Sequence, residues 1–190
     1  YKVYGPHMGA LWGRHDAIAE IDGPNHFFIP RDQAPYVFEL GGASHEGCAG
    51  ILALGDYLSF LAQAEGPCTT AVAHRAFEIM RDLEAPVQSR LMERLQNHSA
   101  VRIIGTPSSS IEDRVATVSF IHERHSPTAL VAAAHAAKVG IRNGNMYAYR
   151  LCEAMNIPVT EGVVRVSAVH YNTIEEIDTL MDALDPLLAS

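Results

Sequence analysis

The sequence lacks the features that mark membrane, nucleic-acid-binding and disulfide-rich proteins. No apolar run reaches the roughly 18 residues that a membrane-spanning helix needs. The 22 acidic residues outnumber the 14 basic ones, giving a formal net charge of -8, and no Lys/Arg cluster offers a surface for nucleic acid or anionic lipid. The three cysteines form no CxxC pair, which argues against a zinc or disulfide framework and favours reduced thiols. We therefore expect a cytoplasmic globular protein without a bound metal.

The first residues also lack a targeting signal. An initiator methionine, a signal peptide and a transit peptide are all missing from residues 1–7. An apolar, glycine-bearing stretch begins at once instead. The sequence is therefore interpreted as a fragment or a processed product of a longer chain.

The first half of the chain predicts a buried strand followed by two long helices. Residues 9–13 have the composition of a short buried strand. Ser44 is a suitable N-cap for a helix over residues 44–64, whose apolar side chains surround almost the whole helix. Such a helix is expected to be buried on several sides, either in a large core or at a subunit interface. An amphipathic helix over residues 70–96 follows, and Pro86 is expected to kink or break it.

The second half predicts a compact α+β unit, because strand and helix patterns alternate from about residue 98 onward. Ser126 caps a helix that Gly140 is expected to end. Thr173 and Glu176 form a capping box before the final helix. We therefore divide the chain into two domains after residue 97. The strand patterns cover residues 101–104, 115–120 and 163–167, and the helix patterns cover residues 126–138, 147–154 and 173 onward.

Lys2 is the first residue that suggests chemistry. A lysine is ordinarily a solvated surface residue. Here two tyrosines and a valine surround it in sequence, and a Gly5-Pro6 turn follows. A lysine in partly apolar surroundings has a lowered pKa and becomes nucleophilic toward an aldehyde. Local composition alone leaves both interpretations open.

Arg165 is the second such residue, because it interrupts an apolar strand pattern. One interpretation is a buried structural ion pair, since an arginine inside an apolar strand must be neutralised. The other is a planar fork that binds a carboxylate through two parallel hydrogen bonds. A third candidate is the glycine-rich turn before the helix at Ser44 and His45. Such a turn can present backbone N–H groups to a phosphate, although Ser44 could equally act as a simple cap.

The histidines of the segment His122-Glu123-Arg124-His125 do not fit a zinc site. The zinc-binding HExxH pattern places two histidines four positions apart on one helical face. Here they are three positions apart, between a strand and the start of a helix. We therefore expect this segment to be a solvated loop.

Three segments resemble the class V aminotransferase and cysteine desulfurase family of pyridoxal-phosphate enzymes. Residues 2–11 are similar to the segment around the cofactor lysine, residues 38–45 to a glycine-rich loop, and residues 162–178 to the C-terminal segment. The resemblance implies an α/β fold, the C-terminal half of a fold type I pyridoxal-phosphate-dependent transferase. Residues 1–97 would then end the large cofactor-binding domain, and residues 98–190 would form the small α+β domain.

The resemblance also implies a role for each candidate residue. Lys2 would carry pyridoxal 5'-phosphate and act as a general base toward an amino-acid substrate. Arg165 would bind the substrate carboxylate. Ser44 and His45 would reach the cofactor phosphate of a neighbouring subunit, which implies a homodimer with shared active sites. Because the family's other cofactor contacts lie upstream of the lysine, the fragment alone is expected to be inactive.

Residues 142–147 resemble the segment that carries the desulfurase cysteine, but they end in a tyrosine. The resemblance makes Arg142 and Tyr147 candidate substrate contacts. A tyrosine cannot accept sulfur as a persulfide, and Cys152 is expected to be a core cysteine. Desulfurase, lyase, aminotransferase and epimerase activities all stay open. The alternative to an enzyme is a catalytically silent binding or regulatory module that keeps the small-domain fold.

Overall fold

The computed structural model of the chain describes residues 5–190, so Lys2 lies outside the described residues. The chain divides into two compact units, Tyr1–Ala76 and Phe77–Ser190, and each is described by itself. The buried side chains of residues 87–95 belong to the core of the second unit. The domain boundary after residue 97 stays a prediction.

The first unit contains helices but no strand among its described residues, 5–76. The prediction of a buried strand over residues 9–13 is wrong, because Leu11 and Trp12 are both 84% exposed in irregular backbone. A strand needs a neighbour to satisfy its backbone groups, and the described part of this unit offers none. The elements are α1 (His15–Glu20), a 3-10 helix (Tyr36–Phe38), α2 (His45–Leu61) and the start of α3 (Thr70–Gln96).

Helix α2 begins as predicted and is more exposed than predicted. The Ser44 Oγ accepts a hydrogen bond from the Gly47 N–H at 3.1 Å, which makes Ser44 the N-cap. The helix ends at Leu61, and Gln63 then adopts a left-handed φ of 52°. Burial on all sides within its own chain is contradicted on one side of the helix within residues 5–190, since Leu52 is 76% and Phe60 75% exposed. Burial at a subunit interface stays a prediction.

Helix α3 continues through Pro86, so a break at the proline is wrong, whereas a kink there stays a prediction. A proline inside a helix removes one backbone hydrogen bond. Packing immediately after it offsets this loss, because Val87, Leu91 and Leu95 are all buried in the core of the second unit. Each such side chain contributes about 1.5–3 kcal/mol of transfer free energy.

The second unit is built on a four-stranded antiparallel sheet that contains β1 (Val101–Ile104), β2 (Thr117–His122), β3 (Arg142–Gly144) and β4 (Val163–Ser167) in the order β1-β2-β4-β3. The alternating pattern of strand side chains sorts them into two faces. Val118 and Phe120 on β2 and Val164 and Val166 on β4 point to the core. Their partners on the opposite face are more exposed and more polar.

Three helices cover the core face of this sheet, namely α3, α4 (Pro127–Ala136) and α6 (Ile174–Leu188). The buried cluster joins side chains of α3, α4 and α6 to Val118, Phe120, Val164 and Val166. A smaller cluster around Cys152 packs against the opposite face, beside Val163 and Ile121. The helix that contains Cys152 is α5 (Tyr149–Ala154).

The helix starts in this unit follow the sequence closely, whereas one helix end does not. The Ser126 Oγ accepts from the Ala129 N–H, and Thr173 and Glu176 form a complete capping box. The expectation that Gly140 ends α4 is wrong. The helix stops at Ala136, and Lys138 takes the left-handed conformation with φ 64°.

Candidate functional site

A row of polar side chains crosses the face of the sheet opposite to α3, α4 and α6. Ser119 on β2, Arg165 on β4 and Arg142 on β3 are consecutive Cα partners in the antiparallel ladder. Directly paired residues of antiparallel strands project to the same face. The register therefore brings together the two arginines that the sequence predicted as substrate contacts. It adds Ser119, which the sequence analysis missed although the alternation in β2 could have placed it.

Arg165 is half-buried and has no protein partner among residues 5–190. Its Nε atom is buried without a hydrogen bond, and none of the ion pairs in the described chain includes it. Arg94 shows how the fold treats a structural arginine, because it contacts Asp178, Asp182 and Asp185 at 3.0, 2.8 and 2.7 Å. The structural ion pair considered for Arg165 is therefore absent from the described residues.

Arg142 is exposed and also lacks an ion-pair partner in the described part of the chain. Two cations directly opposite each other in a sheet repel. An anion placed between or above them would remove that repulsion, and a guanidinium can hold a carboxylate through two parallel hydrogen bonds. The arrangement is therefore suited to an anionic group beside the two arginines on this face of the sheet.

The loop that follows β3 displays Tyr147 in a strained backbone conformation. Met146 and Tyr147 both have positive φ angles, 51° and 62°, which cost non-glycine residues free energy. The side chain of Tyr147 is fully exposed. The strained backbone therefore includes Tyr147, the residue that the family resemblance predicts to contact the substrate.

The same loop is fixed by Asn145 and by a close contact between glycines. Asn145 donates to the Val159 carbonyl at 3.1 Å, and its Oδ1 accepts from the Tyr147 N–H at 3.0 Å. A Cβ atom added to Gly162 would lie 1.9 Å from the Gly144 carbonyl carbon. Only glycine permits this approach, so the two glycines and Asn145 determine where Tyr147 is presented.

The turn at Ser44 and His45 offers a second set of donors, in the first unit. The residues from Gly41 to Glu46 are all exposed, and Gly42 has a φ of 90°. The first turn of a helix carries unpaired N–H groups and the positive end of the helix dipole. These donors fit a phosphate. The Glu46 carboxylate in the same turn is negatively charged and would repel a phosphate.

Glu84 is a titratable residue that the sequence analysis did not single out. Burial raises the pKa of Glu84 above its ordinary value of 4.5, and the imidazole and backbone N–H of His170 offset part of this rise. His170 itself is buried, on the loop after β4. The sequence signal available was the position of Glu84 three residues before the buried Val87 on α3.

His122 is buried, so the prediction of a solvated loop is wrong at this residue. Its Nε2 atom lies 3.3 Å from the Leu188 carbonyl, and its Nδ1 atom accepts from the N–H groups of Arg124 and His125. Burial lowers the pKa of His122 below its ordinary value of 6.5. Both ring nitrogens are engaged in the neutral form, which leaves neither free to bind a metal.

Three further findings concern sites that the described residues could form. Cys152 is a buried free thiol, as predicted.

Residues 5–190 contain no group of three or more histidine, cysteine, aspartate or glutamate side chains placed to hold a metal ion. A cavity of about 350 Å³ lies where the end of α4 meets the start of α6, lined by Lys138, Ser167 and Glu176, and it includes none of the predicted site residues.

No helix within residues 5–190 is long and apolar enough to cross a membrane.

Comparison with known proteins gives a family match over nearly the whole chain. The family model described as aminotransferase class-V matches residues 1–180. The aminotransferase-like protein FGM3 of Gibberella zeae is 36% identical over 99% of this chain and 44% of its own length. The cysteine desulfurase-like protein ustD of Aspergillus flavus is 28% identical over 99% of this chain and 41% of its own length. The chain thus spans less than half the length of these relatives.

Solved structures give the same fold at lower identity. A cysteine desulfurase from Thermococcus onnurineus superposes with a TM-score of 0.65 and 21% identity, covering 81% of this chain and 34% of its own. The cysteine desulfurase CsdA of Escherichia coli gives a TM-score of 0.59 and 20% identity, covering 82% of this chain and 33% of its own. The fold is therefore part of the α/β fold of these pyridoxal-phosphate enzymes, as the sequence predicted.

Proposed function

Because the chain belongs to the class V aminotransferase family, whose cofactor is pyridoxal 5'-phosphate, we propose that the complete protein is an enzyme acting on an amino acid, with Arg165 as the substrate-carboxylate anchor. The observation that carries this proposal is the half-buried guanidinium of Arg165, which lies on the sheet face opposite to α3, α4 and α6 and has no hydrogen-bond or ion-pair partner within residues 5–190. A half-buried arginine without a protein partner is costly, and a bound carboxylate would supply the missing acceptors.

Lys2 is proposed as the residue that binds the cofactor and moves the proton at the substrate Cα atom. The cofactor, when bound, withdraws electrons from that carbon; the protein supplies binding, orientation and the base. The chain contains one other lysine, Lys138, which is exposed at the end of α4. Lys138 is therefore the matched control for any assignment to Lys2.

The turn at Ser44 and His45 is proposed to contact the cofactor phosphate of a second subunit. The exposed residues of this turn at the start of α2 and the exposed apolar side chains Leu52 and Phe60 of the same helix support this proposal. A two-fold interface over α2 would cover those side chains and bring the turn to the partner's site. The complete protein would then be a homodimer with shared active sites.

Tyr147 is proposed as a substrate contact in place of a sulfur-accepting cysteine. Cysteine desulfurase activity should then be weak or absent, because a phenol cannot form a persulfide. Lyase, aminotransferase and epimerase reactions are all compatible with the residues described. A cytoplasmic location and a boundary between a large and a small domain after residue 97 belong to the same proposal.

The test of the proposed anchor is Arg165→Lys in the complete protein, which keeps the charge and removes the planar fork. Loss of a charge-assisted hydrogen bond of about 1.5–3 kcal/mol predicts a roughly 10- to 150-fold weaker amino-acid affinity. Cofactor affinity and the unfolding midpoint should be unchanged. Arg102→Lys, on the same face at β1, is the matched control and should alter none of these quantities.

The result that would contradict the anchor is an Arg165→Lys variant that unfolds more readily without a selective loss of amino-acid binding. Borohydride reduction and peptide mapping test the cofactor lysine independently. The pyridoxyl group should be found on the peptide containing Lys2, and Lys138→Ala should not change the yield. A complete protein that binds no cofactor would favour the silent binding module.

A further inference from the structure

The strands of the second unit concentrate positive charge in a strongly acidic chain. The whole sequence has a formal net charge of -8, yet the four strands contain three arginines and no aspartate or glutamate. Arg102, Arg142 and Arg165 all fall on the face opposite to the α3, α4 and α6 layer, as the register of the strands shows. None of the three has an ion-pair partner within residues 5–190.

This charge exceeds what a single substrate carboxylate would neutralise. One carboxylate has two oxygens, and the fork of Arg165 occupies both when it binds in the bidentate mode. The guanidinium of Arg142 would then still lack a counter-charge, one strand away from the occupied anchor. Adjacent strands are about 4.8 Å apart, a distance comparable to the short carbon chain between the two carboxylates of an acidic amino acid.

Resting on the proposed function, we propose that the substrate carries a second anionic group on its side chain and that Arg142 binds it, so that the site takes an acidic amino acid in preference to its neutral amide. Arg142 is the specificity-determining residue and Arg165 remains the anchor of the α-carboxylate. Arg102 lies two strand spacings from Arg165 and two residues further along the strands, or roughly 12 Å away, and contributes only to the long-range field.

The experiment compares succinate with succinamate, in which one carboxylate is replaced by an amide of similar shape. Neither compound has the amine needed for reaction, so calorimetric titration of the complete cofactor-loaded protein measures binding alone. The wild-type protein should bind succinate at least about fivefold more tightly, because a second charged hydrogen bond forms at a partly exposed site. Arg142→Gln should bring the ratio close to one while leaving the affinity for succinamate unchanged.

Two control variants make the outcome specific to Arg142. Arg142→Lys keeps the charge and should retain a preference for succinate. Arg102→Gln removes a charge from the same face without touching the row and should leave the ratio unchanged. Equal affinity of the wild-type protein for the two compounds would overturn the inference. An equal weakening of both by Arg142→Gln would also overturn it, by showing that the two arginines share one carboxylate.

The same titrations separate this inference from the proposed function. If Arg165→Gln abolishes binding of both compounds while Arg142→Gln does not change their ratio, the anchor stands and the acidic preference fails. If neither compound binds to the wild-type protein, both proposals fail together. Loss of the ratio in Arg102→Gln would replace a specific contact with a general field effect and would likewise overturn the assignment to Arg142.

Discussion

Phe60 on α2 and Phe120 on β2 are chemically identical side chains, yet Phe60 is 75% exposed and Phe120 is fully buried. The contrast extends over the two compact units that contain them. The second unit places Phe120 in a cluster of buried apolar residues drawn from its sheet and three helices. The described part of the first unit buries few large side chains and exposes Leu11, Trp12 and Phe27.

This difference in burial indicates that the second unit is stabilised mainly by contacts among its own residues. A protein buries its large apolar side chains because removing them from water is the dominant favourable contribution to folding. The second unit meets this requirement with residues of its own. The described part of the first unit, residues 5–76, leaves several large apolar side chains uncovered, and large exposed apolar surface is typical of an interaction site. We expect the remainder of the complete protein and a second subunit to supply those surfaces.

The largest difference between the two units is expected when Phe120 and Phe60 are each truncated to alanine. Phe120→Ala should lower the free energy of unfolding by about 3–5 kcal/mol, since it removes a fully buried ring and leaves a cavity. Phe60→Ala should change it by less than about 0.5 kcal/mol, because an exposed side chain loses little on truncation. Chemical denaturation of this chain measures both. Similar losses for the two variants would show that the first unit is packed as tightly as the second.

The next largest effect is expected in the second unit, where Gly162 contacts Gly144 beside the loop that contains Tyr147. Gly162→Ala should destabilise the chain by about 2 kcal/mol or more, because its Cβ would collide with Gly144 and its φ of 65° disfavours alanine. Gly140→Ala is the control, since no atom lies within 4 Å of its added Cβ. Amide exchange of residues 145–148 should accelerate only in the first variant. Unchanged exchange would mean that the glycine contact does not fix the loop.

A smaller effect concerns pH and distinguishes a buried histidine from an exposed one. The pKa of His122 is lowered in the folded chain, so the unfolded chain binds a proton first as the pH falls below 6.5. The folded state therefore loses stability as the pH falls from 6.5 to the folded pKa, and the loss levels off below it. His122→Gln should flatten this part of the stability profile. His74→Gln, at an exposed position of α3 in the first unit, should leave the slope intact.

The smallest effect on stability is expected at the surface of α2. Leu52→Ser should change the free energy of unfolding by less than about 0.5 kcal/mol, because Leu52 is already 76% exposed. The same change should weaken self-association, which sedimentation velocity of the complete protein detects as a shift toward the monomer. An unchanged dimer with an unchanged affinity for the cofactor would move the proposed interface away from this side of α2.

The sequence alone was sufficient to predict the helix starts, because helix caps are formed by residues close together in the chain. The N-caps Ser44 and Ser126 and the capping box of Thr173 and Glu176 are present where the residue pattern predicts them. These contacts span three residues, so neighbouring side chains are sufficient to define them. The strands over residues 101–104 and 163–167 are present as predicted, the strand predicted over 115–120 begins two residues later, and the family match confirms the family that three short segments resemble.

Tertiary structure decided the features that depend on partners far away in the chain. The sequence could not show that residues 9–13 lack a strand partner in the described chain, that α2 stays exposed, or that the carbonyl of Leu188 lies beside His122. It identified Arg142 and Arg165 separately, but only the strand register makes them direct partners beside Ser119. A register is set by the hydrogen bonds and buried faces of whole strands, because a shift of one residue would turn every side chain to the other face.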